Sequence, residues 1–292
     1  MGRRARQPAI PREVIRLTTY AQLDLYLAKF AAGELGLVLL LGRHGTGKSE
    51  SVKRALGLSQ GSAGERGRTW HGVLYIEGHM QPFGLYRQLW DQRDQPIVLD
   101  DLDKLYADPN CVRLLKPLCN TERTKHLTWL SNTTLTTPGV PTSFTTASIV
   151  ILIANEWRTL NPNVRALEDR AIILHFDPSK TEVHRRVGEW FKDDVVYAFI
   201  GDLLPLAAEV SMRHYCKGSQ LRRAGLPDWR SSLLQMVLPD ARLACVVALQ
   251  GNPALRTEQR VQRFIETTGC GRATYFRLKA ELVRLRAFEN SQ

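Results

Sequence analysis

The segment from Gly42 to Ser49 reads Gly-Arg-His-Gly-Thr-Gly-Lys-Ser, a complete G-x-x-x-x-G-K-S phosphate-binding loop. It follows an apolar run at 37–41 and opens a helix-like stretch at 49–56. Glycines in such a loop let backbone N–H groups surround an anion, and the helix start adds the positive end of its dipole. The lysine of this motif reaches the β- and γ-phosphates, and the serine hydroxyl ligates Mg²⁺. The predicted nucleoside triphosphate site therefore comprises Gly42, Gly45, Thr46, Gly47, Lys48 and Ser49.

Apolar strands alternate with helical stretches on both sides of this loop. Strands are predicted at 35–41, 73–76, 96–101, 148–154 and 171–176, and helices at 20–32, 83–92, 111–123 and 163–170. Near-continuous apolar strands separated by helices indicate an α/β fold with a parallel sheet covered on both faces. Ligands of such sheets bind at the carboxyl ends of the strands, where the phosphate loop lies.

Polar side chains end two of these strands. Asp100 is placed to hold the Mg²⁺ of a bound nucleotide, directly or through water. The next carboxylate, Asp101, could orient or deprotonate the attacking water. Asn155 follows the strand at 148–154 and could position the same water, or it could cap the segment that follows.

Arg170 comes just before the last predicted strand. An arginine at this edge can reach the γ-phosphate of a neighbouring subunit, as an arginine finger supplied in trans. Arg165 is about one turn earlier and is the second candidate. A solvated or salt-bridged surface role is the alternative for either arginine.

Four features follow one another along the chain: the phosphate loop, a strand with Asp-Asp, a strand that ends in Asn, and an arginine before a final strand. In this order they resemble the AAA+ ATPase superfamily, over residues 17–250. The resemblance implies a Mg²⁺-dependent ATPase that works as a ring or helical homo-oligomer, because each site is completed by the neighbour. It also implies a helical lid that sends an arginine back to the nucleotide. Arg213 is the candidate for that role, with Arg222 and Arg223 as alternatives.

One departure from the family concerns the usual Asp-Glu pair, which is Asp-Asp in this chain. The shorter side chain of Asp101 would hold the water less well. A slow, switch-like ATPase is therefore as compatible with the sequence as a fast motor.

The charge of the chain favours a polyanionic partner. Its 292 residues carry 40 Lys and Arg against 29 Asp and Glu, a formal charge of +11. Such a balance is typical of proteins that bind nucleic acid, although it can also be diffuse solubility charge. The five cysteines form no C-x-x-C pair, which indicates a reduced, cytoplasmic chain without a zinc site. No apolar run approaches the ~18–20 residues of a membrane span, and no secretory signal or membrane contact is expected.

The C-terminal segment favours DNA as that partner. Helices are predicted at 240–250, 257–267 and 272–286, and a tight Gly-Cys-Gly turn at 269–271 joins the last two, as in a helix-turn-helix. Residues 252–287 hold eight Arg and Lys against three Glu, a net +5. Side chains near the start of the second helix of such a motif reach bases or phosphates. These candidates for DNA contact are Arg272, Thr274, Arg277 and Lys279. A protein-docking unit of three helices is the alternative.

The predicted domains are a basic arm at 1–16, an AAA+ nucleotide domain at 17–178, a helical lid at 179–238 and the helix-turn-helix-like domain at 239–292. The stretch at 121–147 is long for a connection. It could face the channel of a ring, with Arg123, Lys125 and His126 toward nucleic acid, or it could form a β-hairpin packed on the core.

These features together predict a DNA-associated AAA+ ATPase of the replication-initiation, helicase, helicase-loading or transposition-helper type, and a small mobile-element replication protein fits its size. A protein-remodelling or assembly-scaffold ATPase with a protein client is the alternative, and a slow nucleotide switch is a third. A segment reading Gln-Pro-Phe-Gly at 81–84 is a faint sign of the pore loop that a remodelling ATPase would need. The guanine-reading Asn-Lys-x-Asp motif is absent, which favours ATP.

Overall fold

The computed structural model describes residues 13–58, 71–78, 80–100, 108–130, 138–155, 169–238 and 240–289. The chain divides into two compact units, Met1–Pro178 and Ser179–Gln292. In the described part of the chain, no helix combines the length and the apolar character that a bilayer crossing requires.

The first unit is built on a parallel sheet of six strands. These strands are β1 Ile15–Leu17, β2 Leu37–Gly42, β3 Leu74–Glu77, β4 Ile97–Asp100, β7 Val150–Ala154 and β8 Ile172–Phe176. Their order in the sheet is β1-β8-β2-β7-β4-β3. Every residue of β2 is buried, as the apolar run before the loop predicts. The expected α/β fold, with a parallel sheet and a helical region that follows it, is confirmed.

In the described residues of this unit, the helices are α1 Tyr20–Ala31, α2 Lys48–Ala55, α3 Pro82–Asp91 and α4 Pro109–Leu118. Thr19 caps α1 in a capping box with Gln22. The Thr19 side chain accepts from the backbone N–H of Gln22, and the Gln22 side chain accepts from the backbone N–H of Thr19. The prediction that α4 extends to residue 123 is wrong. Pro117 lies in its last turn, and a proline offers no N–H to continue the hydrogen-bonding pattern.

The stretch at 121–147 contains a β-hairpin packed on the core, one of the two alternatives above. Its strands, β5 Lys125–Thr128 and β6 Ser143–Thr146, are antiparallel. Leu127 and Phe144 belong to the buried core around the sheet. Lys125 is only 4% exposed, and its ammonium donates to the Ser148 carbonyl oxygen. Burial lowers the pKa of Lys125. The idea that Lys125 meets nucleic acid is therefore wrong, whereas Arg123 and His126 are exposed.

Two further expectations change at the ends of elements. β1 pairs with β8 from Ile15 onward, so two residues placed in the basic arm belong to the sheet. The segment that suggested a pore loop contributes Pro82 and Phe83 to the first turn of α3, and Phe83 packs against the core.

The second unit is helical in its described residues. Its helices are α5 Lys180–Gly188, α6 Asp194–Gly201, α7 Met212–Arg223, α8 Trp229–Val237, α9 Ala241–Gln250, α10 Thr257–Thr268 and α11 Arg272–Glu289. One buried cluster runs through it, from Val183 to Leu282. Gly218 lies where α7 meets its neighbours, because a Cβ there would come within 2.7 Å of Leu233 and 2.8 Å of Val196.

Candidate functional site

The phosphate loop connects β2 to α2 at the carboxyl edge of the sheet. Gly45 and Gly47 have left-handed backbones, with φ of 71° and 77°, which glycine adopts without strain. At Gly42 a Cβ would lie 2.2 Å from the Phe176 carbonyl oxygen of the adjacent strand β8, so a side chain does not fit. The backbone thus explains why each of the three loop positions is a glycine. The loop leads directly into the N-terminus of α2.

Contacts from elsewhere in the first unit fix the loop. The Tyr20 hydroxyl donates to the Thr46 carbonyl oxygen at 2.7 Å, in a buried position. The Thr46 hydroxyl donates to the Arg43 carbonyl oxygen at 2.9 Å. The Arg43 guanidinium in turn bonds to Asp177, with Nε 2.8 Å from Oδ1. The sequence prediction missed Tyr20 and Asp177, since only the fold brings them to the loop.

Lys48 and Asn155, predicted from separate motifs, lie together. Lys48 is 5% exposed, and its ammonium donates to the carbonyl oxygens of Gly42 at 2.7 Å and Arg43 at 2.8 Å. It also donates to Asn155 Oδ1 at 3.1 Å. The pairing of β2 with β7 explains this contact, because Leu41 is in register with Ala154 and both strands end at the loop.

Asp100, a predicted ligand of Mg²⁺, is bound by a tyrosine that the sequence prediction missed. The Tyr75 hydroxyl donates to the Asp100 carboxylate. The other predicted ligand, Ser49, lies in the first turn of α2. Burial raises the pKa of Tyr75, and the hydrogen bond to Asp100 raises it further. Asp100 is 7% exposed, and a hydroxyl and a carboxylate are the hard oxygen donors that Mg²⁺ prefers. The residues present therefore fit this ion.

Two predicted residues, Asp101 and Arg165, lie outside the described residues. Arg170 lies just before β8, at the amino edge of the sheet and opposite to the phosphate loop. It is exposed and lines a cavity of about 460 Å³ together with Arg123. In its own subunit Arg170 thus does not lie at the loop, and its role in a neighbour stays a prediction.

The candidate lid arginines lie on α7 in the second unit. Arg213 is exposed in the first turn of this helix. Arg222 forms an ion pair with Asp193 at 3.1 Å, and Arg223 donates to the Ser219 hydroxyl at 3.1 Å. The lid role of Arg213, with Arg222 and Arg223 as alternatives, stays a prediction.

The C-terminal helices place the candidate DNA contacts on α11. Gly269 ends α10 with φ of 68°, and α11 begins three residues later. Tyr275 is buried in the core of the second unit, whereas Arg277 is exposed. Arg272 forms a two-pronged ion pair with Glu258 of α10, at 2.6 and 2.9 Å. The remaining candidates, Thr274 and Lys279, are half-buried.

Comparisons with known proteins gave distant likenesses. No protein-family model matches the chain. An uncharacterized 36.7 kDa protein in the nrdC-mobD intergenic region of Enterobacteria phage T4 is 27% identical over 158 residues. This match covers 49% of the chain and 45% of the phage protein, so the chain spans about half the length of the relative that it matches.

Two solved structures are similar to the chain. NtrX from Brucella abortus, in complex with ADP, has a TM-score of 0.43 and 11% identity, over 90% of this chain and 68% of that one. A DNA polymerase III gamma subunit-related protein from Thermotoga maritima has a TM-score of 0.36 and 12% identity, over 92% of this chain and 99% of that one. The parallel sheet and the phosphate loop described above define the fold of the first unit.

Proposed function

We propose that this chain is an ATPase that binds ATP at the phosphate loop, hydrolyses it with Mg²⁺, and works as a homo-oligomer on DNA. The observation that carries the proposal is the meeting of Lys48, Asn155 and Asp100 at one edge of the sheet, from three separate strands and loops. This edge also has the start of α2, whose N–H groups and dipole favour an anion.

Each residue has a role set by its chemistry. The loop backbone and Lys48 would bind the phosphates, and Ser49 and Asp100 would hold Mg²⁺. When bound, Mg²⁺ neutralises charge that develops on the phosphate oxygens. Asn155 offers amide donors and an acceptor beside Lys48, so it can orient the attacking water. Asp101 is the proposed base for that water.

Arginines would complete the site. We assign Arg213 to the nucleotide of its own subunit and Arg170 to that of a neighbour. The position of Arg170 supports this assignment. If the amino edge of one subunit's sheet meets the carboxyl edge of the next subunit's sheet, Arg170 comes close to the phosphates bound by that next subunit. Such a head-to-tail contact is heterologous and generates a ring or a helical filament.

DNA is the proposed partner because the basic charge is concentrated on the last helices, with Arg277 exposed on α11. The test is the steady-state ATPase rate with and without single- and double-stranded DNA, with Lys48→Ala as the blank. We expect stimulation by DNA and no turnover in the blank. An unchanged rate, without salt-sensitive DNA binding, would overturn the DNA part and favour a protein client. Wild-type protein that binds ATP without hydrolysing it would leave a nucleotide switch.

A further inference from the structure

Tyr75 lies against a residue that would hold Mg²⁺. Its hydroxyl donates to the Asp100 carboxylate. Among the described residues, this phenol is the hydrogen-bond partner of the Asp100 carboxylate. A neutral hydroxyl thus compensates a carboxylate that is only 7% exposed.

The strands place Tyr75 there. Tyr75 is in register with Val98, and Glu77 with Asp100, so Tyr75 and Asp100 are diagonal neighbours on one face of the β3–β4 pair. Helix α2 contributes Ser49 and, one turn later, Lys53, whose ammonium lies 4.6 Å from the centroid of the Tyr75 ring. The ring is held between β4 and α2, directly beside the end of the phosphate loop.

This position has a consequence for a cation. An Mg²⁺ ion binds its oxygen ligands at about 2.0–2.1 Å and keeps several waters around it. An ion or bound water on Asp100 Oδ2 would need the space that the Tyr75 hydroxyl occupies. Burial of the Asp100 carboxylate also costs free energy, because a buried charge needs a compensating partner both with and without the ion.

We propose that Tyr75 is a placeholder in the Mg²⁺ site: its hydroxyl satisfies the Asp100 carboxylate before the ion binds, and the ion displaces it. Tyr75 is half-buried, so its side chain can rotate toward solvent when this happens. The phenol thus competes with the ion and sets its affinity. This inference rests on the proposed function, because it assumes that the loop binds a nucleotide with Mg²⁺.

The test uses the full-length protein and the variant Tyr75→Phe, which keeps the ring under Lys53 and removes only the hydroxyl. Binding of a fluorescent ADP analogue in EDTA reports the loop without a cation, and we expect equal affinity in both proteins. Mn²⁺ is then titrated onto the ADP-loaded proteins, with protein in excess over ADP, and free Mn²⁺ is followed by its paramagnetic resonance signal. We expect Mn²⁺ to bind Tyr75→Phe about three- to tenfold more tightly, the scale of one net hydrogen bond.

Tyr86→Phe is the matched control, because its hydroxyl donates to the Pro141 carbonyl oxygen at 2.9 Å, away from the phosphate loop. It should bind Mn²⁺ as the wild type does. A second variant, Tyr75→Leu, should also bind Mn²⁺ more tightly if the hydroxyl is the competitor. Equal or weaker Mn²⁺ binding by Tyr75→Phe would overturn the inference, and weaker binding would show that the phenol supports the ion. If the wild type bound no ADP analogue either in EDTA or with Mn²⁺, the proposed function itself would fail, and this inference with it.

Discussion

Lys48 Nζ lies 3.1 Å from Asn155 Oδ1, although the two residues are 107 positions apart in the chain. The contact joins the phosphate loop to the end of β7, so the amide and the ammonium act at the same place. Asn155 therefore has a defined partner at the phosphate loop.

Replacement of this amide should affect hydrolysis more than binding. We expect Asn155→Ala to lower kcat about ten- to a hundredfold, because the water loses an orienting group, while the nucleotide affinity changes little. Single-turnover ATP hydrolysis and binding of a fluorescent ATP analogue separate the two effects. A variant with unchanged kcat would remove Asn155 from the proposed mechanism.

The hydrogen bond from Tyr20 to the loop should contribute to stability and to binding. In Tyr20→Phe the Thr46 carbonyl oxygen loses a buried donor, which costs about 1–3 kcal/mol of unfolding free energy. We expect a lower midpoint in urea and weaker ADP binding. Tyr26→Phe, on the same helix and half-buried, is the control and should behave as the wild type. Equal losses in both variants would mean that the loop contact has no special role.

Arg170 should act across a subunit boundary. Arg170→Ala and Lys48→Ala should each be inactive alone, but a mixture of the two should regain ATP turnover. The reason is that the Lys48→Ala subunit still offers its arginine to the intact loop of its neighbour. Arg113→Ala, which removes an exposed arginine of α4, serves as the control and should be active alone. A mixture without activity, from variants that still form oligomers, would contradict a role in trans.

Arg277 should contribute to DNA affinity through phosphates or bases. We expect Arg277→Ala to weaken DNA binding and to reduce the slope of log K against log salt by about 1 if the contact is to a phosphate. Arg185→Ala removes the same charge from the second unit, at a residue that is paired with Glu182 and Glu189. It should leave DNA binding almost unchanged. Similar losses in both variants would indicate a general charge effect and no specific contact by α11.

The second unit should lose stability in mild acid. Burial lowers the pKa of the His184 imidazole, whose Nδ1 lies 2.8 Å from the Tyr215 hydroxyl oxygen. A lowered pKa means that the unfolded chain binds the proton more readily. The neutral ring thus stabilises the fold above about pH 6.5, and this contribution is lost as the pH falls through the lower folded value.

Thermal unfolding at pH 7.5, 6.5 and 5.5 measures this effect. The midpoint should fall below pH 6.5 in the wild type and fall less in His184→Gln. Burial also lowers the pKa of His214, so part of the decline should remain. His126→Gln, at an exposed position of β5, should follow the wild type. An unchanged decline in His184→Gln would mean that another group causes it.

The sequence alone determined the features that are local. The spacing of Gly42, Gly45, Gly47 and Lys48 predicts the phosphate loop, because backbone conformation and anion binding depend on residues next to one another. The apolar runs predict the strands, and an acid or an amide after a strand predicts which side chains meet at its carboxyl edge.

The tertiary structure decided the partners of these residues. Neither Tyr75 nor Tyr20 has a sequence pattern that links it to the loop, and each reaches the site because of strand register or helix packing. The sequence suggested that Lys125 contacts nucleic acid, but the hairpin buries its ammonium against a backbone carbonyl. Local signals report what a segment can form, whereas contacts between distant segments depend on how those segments pack. The fold therefore fixes which hydroxyl or cation lies beside the phosphate loop.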